Sequence, residues 1–183
     1  MNIRIFALSL VATVAISTTA AAQQPAGFWT YPAIPGIGPV HVWPESGVRP
    51  DANTTYKAVF DVTQAAKPGE GSPGLAKVAR TINAFASVGT PLTHLKFVVI
   101  IHGPATPIVL AGDKYQAKFG HVNPDLALIE ALKKAGVDVK VCGNALGEHQ
   151  FTPADVNPNV SVALSALSTL VILQNQGYAV LSM

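Results

Sequence analysis

Leu95-Lys96-Phe97-Val98-Val99-Ile100-Ile101-His102-Gly103 is the stretch whose reading decides the fold. Leu95 to Ile101 is apolar except for Lys96. A short run of this kind, rich in β-branched residues, suits a strand covered on both faces. That is the mark of a parallel sheet lying between helical layers. The run ends in His102-Gly103-Pro104. In an open parallel sheet, ligands and chemistry collect just beyond the carboxyl ends of strands, which is where this histidine falls.

A second stretch repeats the pattern: Val137-Asp138-Val139-Lys140-Val141-Cys142-Gly143-Asn144-Ala145-Leu146-Gly147. Val137, Val139 and Val141 alternate with Asp138 and Lys140, the period of a strand. Cys142, the one cysteine of the chain, follows as the strand ends, and Gly143 permits a tight turn. The single soft nucleophile thus stands where such a fold places its working groups.

The intervening segments complete the architecture. Tyr56–Val62 reads as a strand with Tyr56, Ala58, Phe60 and Val62 on one face. A helix is expected from Pro73 to Val88, with Leu75, Val78, Ala79, Ile82, Phe85 and Ala86 at helical spacing and Gly89 as its stop. Residues 105–120 are ambiguous, with an apolar Ile108-Val109-Leu110 before a short helical pattern at Asp113–Phe119. Asn123-Pro124-Asp125 predicts a capped helix running to Ala135, with Lys133 and Lys134 in its last turn and Gly136 beyond. Strand Val160–Leu164, helix Ser165–Gln176 and a last strand Tyr178–Leu181 follow. Alternating strands and helices predict a doubly wound α/β fold.

The N-terminus sets the expected compartment. Arg4, an apolar run from Phe6 to Ile16 and the small residues Ala20-Ala21-Ala22 have the form of a secretory signal, residues 1–22. The run is too short for a comfortable transmembrane span. The expectation is a periplasmic protein with no membrane span after cleavage. Residues 23–53 form a Pro- and Gly-rich arm that carries both tryptophans, Trp29 and Trp43, with Phe28 and Tyr31. So many aromatics argue for an arm packed on the domain or on a neighbouring subunit. Residues 54–183 form the α/β domain.

Composition and spacing exclude several chemistries. Twelve Lys+Arg against ten Asp+Glu leave no basic footprint for nucleic acid. Charged residues make up only 12% and apolar residues 49%, which predicts a well-covered sheet or an oligomer. The Gly-rich loop 67–74 lacks the GxxxxGK[ST] pattern of a phosphate loop. His41, His94, His102, His121 and His149 do not pair at metal-ligand spacings, so no metal and no cofactor is expected. There is no G-x-S-x-G elbow and no CxxC. A cysteine nucleophile needs an activating base, for which His102 and His149 are the candidates. A single thiol at a strand end suits a different task, accepting and passing on sulfur as a persulfide. The alternative is a cysteine buried as a small hydrophobe, in a small-ligand-binding or structural oligomeric module.

Three motifs then carry a resemblance: LKFVVIIHGPA, NPDLALIEALKKAGVDVKVCGNAL and VSVALSALSTLVILQNQGYAVL. In this order they resemble the DsrE/DsrF-like sulfur-relay family, in an exported branch, from about Tyr56 to Met183. The resemblance implies a flavodoxin-like three-layer α/β/α subunit with a mainly parallel sheet of about five strands, assembled as a trimer or hexamer. It implies that Cys142 accepts sulfur, in a sulfur-transfer protein rather than a turnover enzyme, with sulfur donor and acceptor proteins as partners. Cytoplasmic members of that family serve sulfur oxidation or tRNA thiolation; the signal segment puts the latter out of reach. The candidate site is Cys142 as sulfur acceptor, His102 as support for the thiolate, and His149 as a further base. Gly103, Gly143 and Asn144 are the expected binding residues.

Overall fold

The computed structural model describes residues 24–67 and 69–183, so the expected signal segment lies outside the described residues. Its strands are β1 (Tyr56–Val62), β2 (Leu95–Ile101), β3 (Asp138–Cys142), β4 (Ser161–Ala163) and β5 (Ala179–Ser182). They form one sheet in the order β4-β3-β2-β1-β5, with every pairing parallel. The helices are α1 (Pro73–Ala86), α2 (Gly112–Phe119), α3 (Leu126–Lys134), α4 (Gly143–Glu148) and α5 (Ala166–Asn175).

Strand alternation sends side chains to two opposite layers. Phe60, Val62, Val99, Ile101, Val139 and Val141 pack against α1 and α3 through residues such as Leu75, Ile82, Ile129 and Leu132. On the other face Val59, Val98, Ile100 and Cys142 pack with Ala145 of α4 and with Ala166, Leu170 and Leu173 of α5. Each fully buried aliphatic side chain contributes about 1.5–3 kcal/mol, so this two-sided burial drives the fold. The structure is the three-layer α/β/α sheet that the apolar run at Leu95–Ile101 predicts.

The connections place the crevice. The chain steps from β1 through β2 and β3 to β4 in one direction, with α1 and α3 on one face. It then returns through α5, on the other face, to β5 at the far edge. A parallel crossover keeps its right hand when the direction reverses only if the helix changes face. The observed cleft lies beyond the carboxyl ends of β2, β3 and β4, where α5 departs.

One boundary needs correction, and two open readings are resolved. Asn123 sits two residues before the cap position of α3, which is Asp125; its Oδ1 accepts from the Asp125 N–H, while its Nδ2 donates to the carbonyls of Ile108 and Leu110. The regular helix starts two residues later than expected, at Leu126. The ambiguous stretch resolves into a 3-10 segment, Gly103–Val109, followed by α2. The arm is docked on its own domain. Asn83 of α1, fully buried, accepts from the N–H groups of Ala33 and Ile34 and donates to the carbonyls of Ile34, Ile37 and Gly38. Gly38 lies so close to α1 that a Cβ there would meet the Arg80 backbone.

Candidate functional site

Three strand ends supply the site, and their parity puts the side chains on one face. Val59 and Asp61 of β1 share the α5 face with Val98 and Ile100 of β2 and with Cys142 of β3. His102 extends that row. Its N–H donates to the Val62 carbonyl at 3.1 Å, so the β1–β2 ladder continues one residue past β2. The register pairs Ile101 with Val141, which sets His102 and Cys142 beside each other at the ends of neighbouring strands. Adjacent strands lie roughly 5 Å apart.

Each member of the row has a defined partner. The His102 Nε2–H donates to Asp61 Oδ1 at 2.7 Å, and both side chains are about one-fifth exposed, at 23% and 20%. Cys142 is both the last residue of β3 and the cap of α4, and its Sγ accepts from the Ala145 N–H at 3.4 Å. The thiol is only 6% exposed, because α4 turns over it and Ala166 packs beside it. Gly143 is required for that turn: a Cβ there would lie 2.9 Å from the Ala163 carbonyl oxygen.

A cleft of about 180 Å³ opens above this row, lined by His102, Gly103, Cys142, Asn144, Glu148 and Ser165, among others. The lining holds one carboxylate, Glu148, and no Lys or Arg. A larger cavity of about 330 Å³ lies between the arm and α1 and shares no lining residue with it. Among the described residues, no three His, Cys, Asp or Glu side chains group as a metal site.

The structure thus brings together Cys142, His102, Gly103 and Asn144 in one cleft. It sets two expected residues outside the lining. Gly143 serves the packing of α4 against the exit of β4. The His149 Nε2–H donates to the Gly103 carbonyl at 2.9 Å and braces the turn after His102, where Gly103 takes a φ of 54°. Asp61, Glu148 and Ser165 escape the sequence reading. Asp61 carried a signal, being the one acidic residue in an otherwise apolar strand end, VFDV, on the face opposite Phe60 and Val62. Ser165 carried only that of a helix cap, a role it also fills by accepting from the Ser168 N–H.

The profile of the DsrE/DsrF-like family matches residues 57–183, the whole sheet and its helices. The chain belongs to the DsrE/DsrF-like family. Two solved structures share the fold of this DsrE-like chain. The protein of unknown function MTH1491 from Methanobacterium thermoautotrophicum is 17% identical, with a TM-score of 0.50 over 70% of this chain and 99% of its own. The ychN protein from E. coli is 16% identical, with a TM-score of 0.50 over 70% of this chain and 100% of its own. No curated protein matches the sequence.

Proposed function

We propose that this DsrE-like protein is an exported sulfur carrier that accepts sulfane sulfur as a persulfide on Cys142 and hands it on in the periplasm. One observation carries the reading. The sole cysteine of a DsrE/DsrF-like chain ends a central strand and borders a cleft beside an imidazole. The family points to sulfur relay in general. The signal-like N-terminus supports export, and the small, partly enclosed cleft supports a small sulfur species or a persulfide tip as its visitor. The test is intact mass of the mature protein after incubation with polysulfide. A gain of about 32 Da, one sulfur atom, is expected, and none in Cys142→Ser.

The low exposure of the thiol favours a second reading, in which Cys142 only packs and caps α4. A native thiol inert to both polysulfide and alkylating reagents establishes that reading and removes the first.

The protein is also proposed to work as a homo-oligomer. Leu164, Leu167, Val171 and Ile172 form an exposed apolar strip along α5 and its approach, 84%, 72%, 58% and 54% exposed. A second copy of this chain suits that strip, because it holds no charged side chain. Among the described residues no helix is long and apolar enough to cross a membrane.

A further inference from the structure

We propose that Asp61 is a positioning residue that holds His102 as the proton acceptor and donor for Cys142, so that β1, β2 and β3 end in an acid, a base and a nucleophile. The inference rests on the carrier reading for its purpose, but its geometry stands apart from it.

The carboxylate fixes the imidazole in two ways. As an acceptor-only group it keeps the proton on Nε2, the atom it touches at 2.7 Å. Nδ1 then carries the free lone pair of the neutral ring. The same contact sets the ring orientation, and the ladder bond from the His102 N–H to Val62 sets the backbone beneath it. His102 lines the cleft with Cys142, its neighbour across the β2–β3 register, while Asp61 is absent from that lining. Asp61 therefore acts through His102 and not on a visitor. A carboxylate that orients an imidazole and stabilises its protonated form is the logic of a nucleophile–base–orienter set.

The step it serves balances without an oxidant or reductant. The Cys142 Sγ–H proton passes to His102 Nδ1. The thiolate attacks the terminal sulfur of a donor persulfide, R–S–SH. A bond forms from Sγ to that sulfur, the donor S–S bond breaks, and the departing thiolate takes the proton from His102 as R–SH. Cys142 ends as the persulfide and the donor as a thiol. The other titratable group at the cleft is Glu148 of α4; α5 and the segment after β2 contribute none.

The experiment follows the thiol with a neutral alkylating reagent, iodoacetamide, on the mature protein across pH, and reads the His102 tautomer by nitrogen NMR. The wild type should hold its proton on Nε2. Asp61→Leu is close in size and removes the acceptor from Nε2. It should lose that tautomer, move the alkylation profile to higher pH, and react about ten-fold more slowly at neutral pH. His102→Asn should do the same, and the double variant should be no slower than either single one, because the two act as a unit. A wild-type ring protonated on Nδ1, or an Asp61→Leu profile that overlays the wild type, overturns the proposal. The wild-type tautomer decides the matter even if a variant fails to fold. Polysulfide loading is scored separately: loading with an unshifted profile removes the positioning role alone, and a shifted profile without loading removes the carrier reading alone.

Discussion

Asn83 holds Ile34 from both sides: its Oδ1 accepts from the Ile34 N–H at 2.8 Å, and its Nδ2 donates to the Ile34 carbonyl at 3.2 Å. One amide on α1 thereby satisfies backbone groups of the Pro- and Gly-rich loop that the Thr30–Val40 bridge closes. This amide is one buried anchor of the arm that lies outside the family match, beside the packing of Ile34 and Val40.

Asn83→Ala is expected to cost about 3 kcal/mol, since it strands several buried backbone groups at once. Limited proteolysis should then cut within residues 24–53, while the wild type resists. Equal resistance in both proteins would assign the arm's attachment to Ile34 and Val40 packing instead.

Asp125 carries the clearest pH dependence. Its Oδ1 accepts from the Ser72 N–H at 2.8 Å, while its Oδ2 is buried without a partner. Burial pushes the carboxyl up from 3.8 to about 6, against the opposing pull of the Ser72 N–H. Between those values the folded protein binds more protons than the unfolded chain. Stability therefore falls as pH rises through the window, by about 3 kcal/mol in all. Asp125→Asn keeps an acceptor for Ser72 and removes the charge. Denaturant unfolding should show its stability flat from pH about 4 to about 6, and higher than wild type at neutral pH. A decline parallel to the wild type's would assign the slope to other groups.

The parallel sheet was legible because its signal is local and redundant. Leu95–Ile101 and Val137–Val141 state their burial in their own composition, and Gly89, Gly136 and Gly177 mark the stops. The thiol and the imidazole were legible as strand-end residues. Asp61 was not, because its role depends on which strand lies beside β2, and strand order is a property of the whole sheet. Asn123 shows the same limit: its bond to the Asp125 N–H is local, but the anchoring of its Nδ2 to carbonyls 13 and 15 residues away is not. A packed arm was expected, but its anchor was not legible: Asn83 is a polar residue on a helix that otherwise reads only as amphipathic.

The charge of the cleft predicts donor preference. Glu148 lines it, Asp61 lies behind His102, and the lining holds no Lys or Arg. A dianion such as thiosulfate meets net repulsion there, whereas a low-molecular-weight persulfide carries at most one charge at its reacting end. Loading of Cys142 by cysteine persulfide should exceed loading by thiosulfate about ten-fold in rate at low salt, roughly 1.4 kcal/mol of repulsion. Raising the salt, or Glu148→Gln, should narrow the gap. Equal rates at low salt would show that the lining charge does not select the donor.

The apolar strip on α5 predicts assembly. Leu170 and Leu173 pack on the sheet, so the inner side of the helix is already occupied, and Val171 and Ile172 point elsewhere, more than half exposed. Substituting both by Asp leaves the inner packing in place and sets two charges in any contact made through the strip. Sedimentation velocity of the mature protein at micromolar concentration is expected to show a homo-oligomer for the wild type. The double variant should sediment as a monomer with an unchanged circular dichroism spectrum. Burying an unpaired carboxylate in an apolar contact costs several kcal/mol, enough to dissociate an assembly of ordinary affinity. A wild-type monomer would remove the assembly claim. An oligomer that survives both substitutions would move the contact to another face, with the exposed edges at β4 and β5 the next to test.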